Sequence, residues 1–78
     1  MILYELIEEK HNNATIGYYT SFGINAVDSL SGKNCVYIED VFTDFKTAEK
    51  YITLFNEEQL DLIHLEEAIE DILHMYRL

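Results

Sequence analysis

The side chains that could do chemistry are few and scattered along 78 residues. The densest group is His64, Glu67, Asp71 and His74, at i, i+3, i+7 and i+10. On a helix this spacing puts all four on one face, and carboxylate-x-x-His pairs of this kind ligate metals inside helical bundles. Those bundles draw ligands from several helices into a core. This stripe lies opposite an apolar one, so a solvated polar face is expected, with no metal and no cofactor. The residue order also differs from the H-E-x-x-H helix of zinc proteases.

Nucleophiles are placed no better. Cys35 is the sole thiol and sits inside a strand-like pattern, which predicts a buried or half-buried structural cysteine. Ser21, Ser29 and Ser31 lack the G-x-S-x-G elbow. His11 falls in a polar turn and is expected to be solvated. Glu39 and Asp40 are adjacent, so on a strand they point to opposite faces, whereas a catalytic carboxylate pair converges on one substrate. They are expected to end the strand. Glycines 17, 23 and 32 form neither a P-loop nor a G-x-G-x-x-G turn. The expectation is a non-enzymatic chain with no catalytic residue.

Tyrosine is the other conspicuous type, at 4, 18, 19, 37, 51 and 76. Tyr suits strands, and it is also enriched at protein interfaces because it is rigid and amphipathic. Tyr19 and Tyr37 fall on the sheet face opposite the expected core. Together with the small residues Gly17, Ser21 and Gly23 they form a candidate contact surface. The tail Met75-Tyr76-Arg77-Leu78 fits either a dimer contact or the end of the core.

The elements that must position these residues follow from periodicity. Residues 2–9 alternate as a strand, with Tyr4, Leu6 and Glu8 on one side and Leu3, Glu5 and Ile7 on the other. His11-Asn12-Asn13 supplies turn chemistry for a hairpin. Residues 14–27 form a second strand, with Ile16, Tyr18, Thr20, Phe22, Ile24 and Ala26 facing the core. Gly17 and Gly23 lie opposite and mark a bulge, a bend or a close approach. Residues 28–34 read as a loop, and 35–42 as a third strand that ends near Glu39 because Asp40 breaks its apolar face. Thr43 or Asp44 caps a helix carrying Ala48, Tyr51, Ile52 and Phe55, which Asn56 ends. Asp61 caps a second helix over about 62–76, with Leu62, Leu65, Ile69, Ile72, Leu73 and Tyr76 as its apolar stripe. The predicted fold is a single α+β domain over 1–78: a three-stranded antiparallel β-meander, then two amphipathic helices packed on one sheet face.

Composition bounds the partners. Apolar residues make up 49% of the chain, enough for a core, and charged residues 26%. The net charge is −10. Residues 1–43 hold six acids against two lysines; residues 44–78 hold nine acids against three basic residues. Such a chain is not expected to bind nucleic acid or an anionic membrane, both of which need basic groups to displace counterions. It allows a basic protein partner or a homo-oligomer. The opening MILYELIEEK has no basic region ahead of an apolar stretch, and no apolar run nears ~20 residues, so a cytoplasmic location is expected.

The segments YELIEE at 4–9, TSFGI at 20–24, Glu39-Asp40 before Thr43-Asp44, and LIHLEEAIEDIL at 62–73 resemble a family of small bacterial proteins, common in clostridial genomes, whose domain has no known function. The similarity spans most of the chain, with 28–34 as a variable loop. It implies a cytoplasmic bacterial or phage-borne protein and carries no activity, ligand or functional residue. Two functions remain open. One is a small protein-interaction module using Tyr19 and Tyr37. The other is an acidic mimic of nucleic acid that presents Glu66, Glu67, Glu70 and Asp71 to a basic protein.

Overall fold

The computed structural model describes residues 1–76; the side chain of Tyr76 and all of Arg77 and Leu78 lie outside the described residues, and with them most of the expected tail contact. Three strands, β1 (Ile2–Asn13), β2 (Gly17–Asp28) and β3 (Asn34–Phe42), form an antiparallel sheet in the order β1-β2-β3. Helix α1 (Phe45–Glu57) follows, then a 3-10 turn at Leu62–His64 and helix α2 (Leu65–Tyr76).

The first hairpin is longer than expected. His11-Asn12-Asn13 is strand, not turn, and Asn13 pairs with Gly17. The chain reverses over Ala14-Thr15-Ile16, where Asn13 Oδ1 accepts from the Thr15 and Ile16 backbone N–H groups at 2.8 and 3.2 Å. This is an Asx turn, in which the side chain replaces a backbone acceptor. Gly17 closes it at φ +82, a region that costs glycine nothing.

Helix α1 meets the even-numbered face of the sheet. The Tyr4 ring packs edge-on to Phe55 at 5.7 Å, and Phe42 stacks on Tyr51 at 5.9 Å. Tyr4, Phe22, Ile24, Ala26, Phe42, Ala48 and Phe55 are buried in one cluster with Leu65, Ile69 and Ile72 of α2. The Tyr4 hydroxyl donates to the Leu60 carbonyl at 2.6 Å. Burial, with the nearby Asp61 carboxylate adding to it, raises that phenol above its ordinary pKa.

Length explains which expected core residues stay outside. A twelve-residue strand spans about 40 Å, whereas a thirteen-residue helix spans about 20 Å. The longest dimension of the molecule is 41 Å. The hairpin is therefore longer than α1 can cover, and Ile16 and Tyr18 are 66% and 86% exposed despite their apolar parity.

The expected stop near Glu39 is also corrected. The strand continues to Phe42 through two irregularities, one between the Ile24↔Ile38 and Phe22↔Phe42 pairs and one at Cys35. Asp40 sits in the first, at φ +55. The looping-out of residues 39–41 preserves parity, so Phe42 still pairs with Phe22 and is buried. Cys35 is exposed, not buried, because it falls in the second irregularity.

Asp44, not Thr43, caps α1, its Oδ2 accepting from the Thr47 backbone N–H and hydroxyl at 2.8 Å each. Asn56 does not end the helix. Gln59 takes the left-handed position beyond it, at φ +52. Asn56 instead reaches back to Tyr4, its Oδ1 accepting from the Tyr4 N–H at 2.8 Å and its Nδ2 donating to the Tyr4 carbonyl at 2.9 Å. Asp61 precedes the 3-10 turn without a side-chain cap bond. The loop after β2 is closed at its base by Asp28 N–H to Lys33 O, 2.9 Å, and Gly32 N–H to Asp28 O, 2.8 Å. Leu30, at its tip, is 90% exposed.

Candidate functional site

The odd-numbered sheet face carries a continuous polar chain linking the two tyrosines singled out from sequence. The long hairpin register places Glu9 opposite Ser21 and His11 opposite Tyr19. Side chains at opposed positions lie on one face of the sheet and within reach of each other. Tyr37 of β3 donates its hydroxyl to Glu9 Oε2. Glu9 Oε1 accepts from the Ser21 hydroxyl at 3.1 Å and from the Asp40 backbone N–H at 2.8 Å. Ser21 Oγ lies 2.7 Å from His11 Nε2, and the His11 ring stacks on Tyr19 at 4.5 Å. With the imidazole proton on Nε2, His11 donates to Ser21, which donates to Glu9.

Three strands and one bulge meet at a single carboxylate. The looped-out turn at 39–41 turns the Asp40 N–H toward Glu9. Gly23 makes the room: a Cβ there would lie 2.8 Å from Ile38 O, 2.9 Å from the Tyr37 hydroxyl and 3.0 Å from Glu9 Oε2. The glycine is thus a close approach, and the sheet needs it for Tyr37 and Glu9 to meet.

Serine, histidine and glutamate side by side suggest nucleophilic catalysis, but the roles do not fit. In a hydrolytic triad the acid holds the second ring nitrogen of the histidine and the serine faces a substrate. Here the acid bonds the serine itself, and its distance to histidine, 3.9 Å, is to the same Nε2. Ser21 is 0% exposed. A buried hydroxyl that both donates and accepts is a structural link of high stakes, since removing it strands its partners.

The expectation of a solvated His11 is overturned: it lies in β1 with its side chain 27% exposed. The proximity was readable in principle, since a turn at 14–16 would have paired positions 9 and 21. The Asp40 contact was not, because no local signal announces the size of a bulge.

Around the polar chain the face is open. Leu3, Ile7 and Tyr37 are 45%, 36% and 47% exposed. Tyr19 is half-buried. On α2, Glu66, Glu67, Glu70, Asp71 and His74 are all exposed, as is His64 in the 3-10 turn before it. Among the described residues no three His, Cys, Asp or Glu side chains come together to hold a metal ion. No described helix is long and apolar enough to cross a membrane. No family model, curated protein or solved structure matches the chain.

Proposed function

We propose that the chain is a non-enzymatic, cytoplasmic protein-interaction module that presents the odd-numbered sheet face to a basic protein partner. The observation that carries this reading is the exposure of Leu3, Ile7 and Tyr37 beside a fixed polar chain. Apolar groups left in water on a face with pre-ordered aromatics are what a partner's surface gains by covering. Aromatic anchors held by hydrogen bonds also lose little entropy on binding.

The face is favoured over the sheet edges. The β1 edge is occupied at Tyr4 by Asn56, and the β3 edge is interrupted by two irregularities. Both devices disfavour strand addition where they fall. A different protein is favoured over a second copy, because two copies would oppose faces that each carry Glu5 and Glu9 on a chain of net charge −10.

Affinity capture from the native cell with the wild type and with the double variant L3S/I7S tests this. Both residues are exposed, so the fold should survive. A partner retained by the wild type at high salt and lost by the variant is expected. Capture that is indifferent to L3S/I7S would sink the proposal. The second reading, a nucleic-acid mimic, is supported by the exposed acids of α2, since the close ion pair of the described residues, Lys10–Glu8, lies on β1 instead. It predicts capture that fails at high salt and depends on Glu66, Glu67, Glu70 and Asp71.

A further inference from the structure

Where the hairpin, the β3–α1 corner and the last turns of α2 meet, they leave a groove of about 590 Å³. That is within the roughly 300–1,000 Å³ of ligand sites. Its floor is apolar, made by Val41, Phe42 and Ile72, and Ile16 and Tyr19 form a wall. Asp40 and Asp44 also line it, and among the described residues no Lys, Arg or His does. Lys46 is near enough to Asp44 to favour its charge, yet lies outside the lining.

We propose that this groove docks a cationic amphipathic segment of a protein partner, apolar side chains on the floor and Lys or Arg against Asp40 and Asp44. The inference rests on the reading of the chain as an interaction module and names the chemistry of its partner. An apolar trough with the two carboxylates of Asp40 and Asp44 complements a segment in which leucine-like and basic residues alternate by helical turn. A second copy does not fit, because this chain has only five Lys and Arg against fifteen acids. The site is built, not incidental. Tyr19 is braced by the His11 ring, and the Asp40 backbone is held by Glu9. The polar chain of the sheet face thus fixes part of the groove wall.

The probe is a labelled helical Leu/Lys peptide, read by fluorescence anisotropy against a scrambled peptide of the same composition. The amphipathic peptide should bind at least about ten-fold tighter than the scramble. D40N/D44N should weaken binding about ten-fold or more, and both changes spare the fold, since Asn accepts the left-handed region and caps helices. I16S, at an exposed wall position, should weaken it by about as much. The variant E67Q/E70Q removes the same charge from α2 and should stay within about two-fold of wild type. Equal loss in E67Q/E70Q and D40N/D44N overturns the proposal, because the attraction is then diffuse. Indifference to I16S also overturns it. Loss of probe binding in L3S/I7S overturns the groove while supporting the sheet face, so the two readings fail separately.

Discussion

Gly23 and Asn56 carry more of this molecule than their size suggests, and each makes a test at the scale of one side chain. Replacing Gly23 by Ala sets a Cβ 2.8 Å from the Ile38 carbonyl, a backbone atom that cannot swing aside. The variant G23A should lose about 1–3 kcal/mol in urea unfolding. Its NMR signals should also show Tyr37 released from Glu9. Wild-type stability in G23A would mean that the strands yield there at no cost. Asn56 is readable only in three dimensions: it joins helix to edge strand across 52 positions. The substitution N56D keeps an acceptor for the Tyr4 N–H but sets a carboxylate oxygen against the Tyr4 carbonyl. It should cost about 1–3 kcal/mol at neutral pH, and acidification should recover part of the loss. A stability unchanged by N56D would show the two bonds to be incidental.

The elements were legible where their signals are local. Asp44 before a helical stripe is a capping pattern, and the alternation at 2–9 sets Tyr4 and Ile7 on opposite sides from neighbours alone, while which side faces the core follows only from the packing of Phe55 on Tyr4. Signals that depend on length or distant pairing were not legible. Ile16 and Tyr18 have apolar parity but lie at the hairpin end, 66% and 86% exposed, and the turn moved because the Asn13 side chain serves two N–H groups. Cys35 and Asp40 answer to bulges that a partner strand imposes. The cap also predicts a pH dependence. Hydrogen bonds from the Thr47 N–H hold the Asp44 carboxyl below the usual range, and the Leu30 N–H does the same for Asp28. A carboxyl lowered by folding stabilises above its unfolded pKa, about 3.9, and that share is lost as pH falls through the folded value. The urea midpoint should therefore drop below about pH 4. D44N, which caps without titrating, should show a shallower drop. An equally steep drop in D44N would assign the effect elsewhere.

At the scale of the whole molecule, charge opposes compaction. With a net charge of −10, the close ion pair between a basic and an acidic side chain among the described residues is Lys10–Glu8, at 3.8 Å and well exposed. Exposed pairs contribute little, so repulsion should dominate. Raising NaCl from about 0.05 M to about 0.5 M should raise the melting temperature. A decrease would reveal attractive pairs that outweigh the surplus of acids. The long hairpin acts at the same scale: the molecule extends to 41 Å and has a radius of gyration of 13.2 Å, above the ~11.5 Å of a compact chain this long. The loop after β2 bears on how the fold could be put to use. Its two ends are stapled together at Asp28 and Lys33, while Leu30 stands in solvent. A guest peptide or whole reporter spliced in at that tip would inherit a fixed, narrow gateway and leave the host's strands in register. It is the natural port for a label, and because no residue of that loop lines the groove, such a label would leave the proposed groove uncovered.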